Sequence, residues 1–125
     1  MGCESITVLV IEPEKKPYVK SIPSGLASLQ QEVGGYIQAI YPWADDPCVI
    51  ICDEEAKLKH GQYNRVLRDE DGDICDVIAG TFLIAGLGES NFASLSEEYI
   101  RKYSELFAVP ELFFRVGDKL VVLPM

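Results

Sequence analysis

The sequence predicts a single α+β domain with a mainly antiparallel mixed sheet, two helices and a C-terminal β-hairpin. Three observations predict it. Short β-branched runs such as ITVLVI and CVIIC recur between turn residues, the pattern of strands joined as hairpins. Two stretches carry helical periodicity instead. The 125 residues are 48% hydrophobic, enough for one core, and no linker, repeat or low-complexity tract divides them.

Ile6 to Ile11 is almost wholly apolar, which predicts a central strand covered on both faces. Glu12-Pro13 ends it, and Tyr18 to Ile22 predicts a partner strand. Pro23-Ser24-Gly25 opens a short helix with Leu26, Leu29 and Val33 on one face. Gly34-Gly35 stops it, since glycine takes the left-handed cap without a Cβ clash. Tyr36 to Tyr41 and Cys48 to Cys52, joined by the turn-rich Pro42 to Pro47, predict a hairpin. Tyr63 to Arg68 predicts a single helical turn, and Asp71-Gly72 a tight turn. Val77 to Leu87 reads as one long strand, with Gly80 and Gly86 marking bulges or close approaches.

The clearest helix is Leu95 to Phe107. Ser94 and Glu97 have capping-box spacing, Glu97–Arg101 and Glu98–Lys102 are four apart, and Leu95, Tyr99, Tyr103 and Leu106 form one apolar stripe. Leu112 to Val116 and Lys119 to Leu123 then form a hairpin around Gly117-Asp118. Its edge is a candidate for pairing with a second copy, giving a homo-oligomer.

The net charge is −9. Acids cluster at Asp45-Asp46, Asp53-Glu54-Glu55 and Asp69-Glu70-Asp71-Gly72-Asp73. Such a field repels phosphate arrays, so direct nucleic-acid binding is not expected. The clusters read as solvated turns, or else as a mimic of the DNA phosphate array that occupies a basic partner. No run approaches the ~20 apolar residues needed to span a bilayer, and no membrane partner is expected. The start, MGCESITVLV, lacks a basic n-region, and Ile6 stands where a myristoylation signal has Ser or Thr. The expected location is the cytoplasm.

Cys48 and Cys52 share one face of a strand, about 13 Å apart, too far to bridge. Together with Cys3 and Cys75 they read as buried free thiols of a reducing compartment. No metal or cofactor is expected. His60 is the single histidine, and a zinc set needs more ligands. The Asp69 run resembles a calcium loop, but Gly80 falls at its twelfth position, where a bidentate Glu belongs. Gly34-Gly35-Tyr36 follows a helix and precedes a strand, the reverse of a phosphate-binding order. A weaker enzymatic alternative, a small hydrolase, would use the carboxylates or His60.

The candidate site is the polar stretch Asp53 to Phe82, which contains Asn64-Arg65 and Ala79-Gly80-Thr81-Phe82. One reading is structural: Arg65 pairs with a nearby acid and Asn64 caps a turn. The other is a pocket in which Asn64 and Arg65 face a concavity lined by Tyr36, Thr81 and Phe82. There Arg65 holds an anion, Thr81 an oxygen, Gly80 allows close approach and a ring stacks. Trp43 is a second stacking surface or a lid on the core.

The blocks IEPEKKPYVKSI, SLQQEVGGYIQAIY, DEEAKLKHGQYNRVL and DVIAGTFLIAG, in that order, resemble the domain-of-unknown-function family numbered 3846 over about residues 6–107. The family more often has Asn and Gly where Asp53 and Ala56 stand, and Leu-Pro-Leu where this chain has Gly61-Gln62-Tyr63. Its members occur in bacteria, phages and conjugative elements. The resemblance implies accessory roles such as counter-defence, regulation or inhibition of a host protein, and little about chemistry. Joined to the candidate pocket around Asn64 and Arg65, it gives the expectation of a non-enzymatic binding protein that sequesters a small anionic, nucleotide-like ligand. The alternative is an acidic inhibitor that blocks a basic site on a host protein.

Overall fold

β1 (Ser5–Ile11) lies inside the main sheet and sends its side chains alternately to two separate cores. A computed structural model of the chain describes residues 4–59, 62–89 and 91–125. Within it follow β2 (Tyr18–Pro23), α1 (Leu26–Val33), β3 (Ile37–Ile40) and β4 (Cys48–Asp53). Next come β5 (Tyr63–Arg68), β6 (Ile74–Ala79), β7 (Phe82–Leu87), β8 (Phe92–Ala93) and α2 (Glu97–Leu106). β9 (Glu111–Val116) and β10 (Lys119–Pro124) close the chain. The main sheet runs β2-β1-β7-β4-β3, with β8 beside β7, and these pairings are antiparallel. The α+β domain with its terminal hairpin is thus the one the sequence predicts.

Both faces of the sheet are covered, which explains why β4 is buried along its whole length. On one face Val8, Val10, Val49, Ile51 and Leu83 meet Leu29 and Val33 of α1. On the other, Leu9, Ile11, Cys48, Ile50, Phe82 and Ile84 meet Tyr103 and Phe107 from the α2 segment. Leu67 and Ile78 join this second core from the separate β5–β6 hairpin. Each of these large side chains supplies about 1.5–3 kcal/mol by leaving water.

The structure corrects four local expectations. Residues 63–68 form strand β5, not a helical turn, because they pair with β6. The expected long strand breaks at Gly80, whose φ of 73° is left-handed. The break sends β6 to β5 and β7 into the main sheet. The capping box does not form: Ser96 is the N-cap of α2, and Ser94 Oγ accepts the Thr7 N–H instead, at 2.9 Å. Phe107 also replaces Leu106 on the buried stripe, and Leu106 is exposed.

Two further corrections concern charge and thiols. Asp53 is buried, its Oδ2 2.7 Å from Lys59 Nζ. Asp46 accepts hydrogen bonds from Lys102 Nζ at 2.6 Å and from the Tyr103 hydroxyl. Neither is a solvated turn carboxylate. Cys48 and Cys52 are buried thiols as expected, but Cys75 is exposed, its Sγ 3.4 Å from the Leu67 carbonyl. Cys3 and His60 lie outside the described residues.

Candidate functional site

Asn64 and Arg65 enter the protein interior side by side from β5, at 0% and 1% exposure. Asn64 Nδ2 donates to the Ile11 carbonyl at 2.8 Å and to the Gly80 carbonyl at 2.9 Å. One amide thereby ties the end of β1 to the β6–β7 turn. Its Oδ1 accepts from Arg65 Nη1 at 2.7 Å.

Arg65 has five N–H donors, and each has a partner. Nε and Nη2 both donate to the Phe107 carbonyl, at 3.3 and 3.1 Å. Nη2 also donates to the Lys15 carbonyl at 2.7 Å, and Nη1 to the Asn64 carbonyl at 3.2 Å as well as to its side chain. The side chain joins the loop after β1, the β5 backbone and the C-terminus of α2. Among the described residues no carboxylate forms an ion pair with it. Carbonyl dipoles carry the buried charge instead. Burial pulls the guanidinium below its ordinary pKa, and the Glu111 carboxylate opposes that pull. An anion would have to break these bonds to reach the Arg65 donors.

Around this knot the predicted residues have different placements. Gly80 contacts Asn64 directly, and Phe82 is fully buried, edge-on to Phe107 at 5.5 Å between ring centroids. Thr81 is half-buried in the turn between β6 and β7. Tyr36 is 67% exposed ahead of β3. The structure therefore brings together Asn64, Arg65 and Gly80, with Phe82 joined through Phe107.

A cleft of about 350 Å³ opens beside Arg65, between β5, the loop after β3, the end of α2 and the terminal hairpin. Tyr36, Asn64, Gly80, Thr81 and Phe82 do not line it. Trp43, Arg65, Arg68, Phe107, Glu111 and Val122 do. Trp43 is stacked on Tyr103 at 4.1 Å and 26°, with Phe107 edge-on at 6.4 Å. Tyr103 is fixed in turn by its hydroxyl bond to Asp46, and burial together with that bond raises its pKa. Trp43 thus presents an indole held from behind. Opposite in character is Arg68, exposed and donating through Nη1 to the Gly72 carbonyl at 2.9 Å. Glu111 Oε1 accepts the Val66 N–H at 3.0 Å, which fastens β9 to β5.

Sequence reasoning singled out Trp43 and Arg65 but missed Arg68 and Glu111. Strict alternation puts Arg65 and Arg68 on opposite faces of a strand. Both nevertheless line one cleft; at the register shift between Leu67 and Arg68 the extra residue is Cys75 of β6, and β5 runs on without an insertion. Glu111 carried no signal, because its partner is a backbone N–H of a distant strand.

Among the described residues no helix is long and apolar enough to cross a membrane, and no cluster of three metal-ligating side chains occurs. Comparison with known families matches residues 6–108 to the domain of unknown function DUF3846. The chain belongs to that family, and the terminal hairpin lies beyond the matched span. No curated protein and no solved structure matches the chain.

Proposed function

We propose that this member of the DUF3846 family is a binding protein that captures a small anionic ligand carrying a flat ring, nucleotide-like in shape. The capture site is the cleft between Trp43 and Arg68. One observation carries the reading: a braced indole and two of the chain's four arginines converge on one cleft in a chain of net charge −9. The cleft's 350 Å³ lies within the range of small-ligand sites, roughly 300–1,000 Å³.

Trp43 gives the ring a rigid stacking face. Arg68 has donors beyond the one given to Gly72, and a planar fork suits phosphate or carboxylate. Arg65 shapes the floor and adds positive potential without giving up its internal bonds. Glu111 repels a second negative group, so the anion belongs at the Arg68 end. Capture needs affinity and selectivity, with no nucleophile or base. In the phage or mobile-element setting that the family resemblance implies, the ligand is a nucleotide signal of host defence, sequestered in the cytoplasm.

A second reading draws on the β5–β6 turn. Asp69, Glu70, Asp71 and Asp73 are exposed there and take part in none of the ion pairs among the described residues. That turn would block a basic site on a host protein, with binding that weakens steeply as salt rises.

Trp43 is the chain's single tryptophan, so its fluorescence reports on the cleft. Titration with mononucleotides, dinucleotides and cyclic dinucleotides should give a saturable change with at least one class. Arg68→Ala should weaken that binding about tenfold or more, as expected for a charge-assisted pair. No response across the panel, or one indifferent to Arg68→Ala, contradicts the proposal.

A further inference from the structure

The terminal hairpin has an inner face and an outer one. Glu111 and Phe113 point inward, to the Val66 N–H and to the Tyr63 ring at 5.5 Å. Leu112, Phe114 and Val116 therefore share the outer face, together with their cross-strand partners Leu123, Val121 and Lys119. Phe114 is 47% exposed and Val116 63%. Five of these six outward residues are apolar.

The hairpin also has an open edge. Among the described residues β10 pairs only with β9. The Met125 N–H donates to the Pro110 carbonyl at 2.8 Å, so residue 125 turns its backbone groups toward β9. Hydrogen-bonding direction alternates along an antiparallel strand, and the β9–β10 register is unbroken. Residues 119, 121 and 123 then also face β9, while Leu120 and Val122 point their N–H and C=O groups away from it. That leaves two donors and two acceptors along a stretch, Leu120 to Leu123, that has no charge and no proline. The two outer strands of the main sheet are blunted: β2 carries Lys20 and ends at Pro23, and β3 is four residues long with Pro42 close behind.

We infer that β10 pairs antiparallel with β10 of a second copy of this chain, on a two-fold axis through Val121. In that register Leu120 faces Val122 of the second copy, and Val122 faces its Leu120. Directly opposed residues of the hydrogen-bonded type exchange two bonds, so four bonds form and every open group of Leu120 and Val122 is used. The register also keeps the faces aligned. Phe114, Val121 and the same two residues of the second copy make one apolar row across a four-stranded sheet. Shifting by one residue would bring the outer face of one copy beside the inner face of the other.

Charge selects a copy of the chain as the occupant. Within 111–124, Glu111 and Asp118 balance Arg115 and Lys119, while the whole chain carries −9. Two such bodies repel each other least where the surface is locally neutral. A basic partner is drawn to the acidic turns instead.

The test is amide hydrogen exchange on the full chain at low and high concentration, beside sedimentation equilibrium. Leu120 and Val122 amides should exchange freely in dilute protein and slow as concentration rises, in step with the appearance of twice the chain mass. Val121 and Leu123 amides, already bonded to β9, should change little. Val122→Pro removes one edge donor from each copy and should weaken dimerisation about tenfold or more, whereas Phe114→Ser should weaken it less. Monomer at every concentration overturns the inference. So does a dimer in which Phe114→Ser has the larger effect and the Leu120 and Val122 amides stay unprotected, since that is face-to-face stacking.

Discussion

Arg65 holds the Phe107 carbonyl with two of its nitrogens, Nε at 3.3 Å and Nη2 at 3.1 Å. This contact fastens the end of α2 to β5, and the α2 end and β5 are two walls of the cleft. The same side chain anchors the Lys15 carbonyl, so one arginine fixes the chain at three places. Its role here is to hold these elements together, and the exposed Arg68 is the residue that the proposed capture would use.

Stability should separate the two arginines. Arg65→Ala strands the Phe107 and Lys15 carbonyls and opens a void, and should cost about 3–5 kcal/mol in urea unfolding. Arg65→Lys keeps a charge but not the planar fork, and should recover only a minor part. Arg68→Ala, at an exposed position, should shift stability by less than about 0.5 kcal/mol.

Asn64 and Arg65 should behave as one unit. Asn64→Ala removes the bonds to the Ile11 and Gly80 carbonyls and the acceptor of Arg65 Nη1. A double-mutant cycle with Arg65→Met should show a coupling of about 1–3 kcal/mol, measured by denaturation. Additive losses would mean that the two residues act separately.

Two glycines should respond differently to alanine. At Gly80 the added methyl would sit 3.5 Å from Ala56 Cβ, an ordinary contact, so the penalty is the left-handed backbone alone, about 1 kcal/mol. At Gly86 the methyl would collide with the Ser94 carbonyl. Gly86→Ala should therefore be the more damaging of the two, as read by thermal unfolding.

Acid should loosen the brace behind Trp43. The hydrogen bond from Lys102, then that from Tyr103, hold the Asp46 carboxyl below its ordinary value of 3.8. A lowered folded value means that this stabilisation is complete above the unfolded value and is lost as pH falls through the folded one. Urea midpoints measured from pH 6 downward should show wild type losing stability below about pH 4 more than Asp46→Asn does. Equal slopes would remove Asp46 from the account.

The sequence carried the scaffold because its signals are local. Ile6 to Ile11 and Cys48 to Cys52 are apolar on both faces, and the structure covers both faces. Gly34 stops α1 in the left-handed conformation, φ 88°, as its position after Val33 implied. The site was less legible, because its partners are carbonyls. Asn64-Arg65 stood out as a polar pair, yet the oxygens of Ile11, Lys15, Gly80 and Phe107 have no sequence signature. Ser94 shows the same limit: its spacing suited a cap, but Thr7 of a distant strand claims its hydroxyl. Arg68 was passed over because alternation along β5 separates it from Arg65, yet both line the cleft.

Native mass spectrometry of protein purified from cells producing cyclic nucleotide signals should reveal a captured ligand by its mass. Wild type and Arg68→Ala are prepared side by side, with circular dichroism to confirm that both are folded. Wild type should carry a small anionic adduct that Arg68→Ala lacks, and the adduct's mass identifies the ligand. A bare wild-type spectrum from those cells, or an adduct that survives Arg68→Ala, would contradict capture through Arg68.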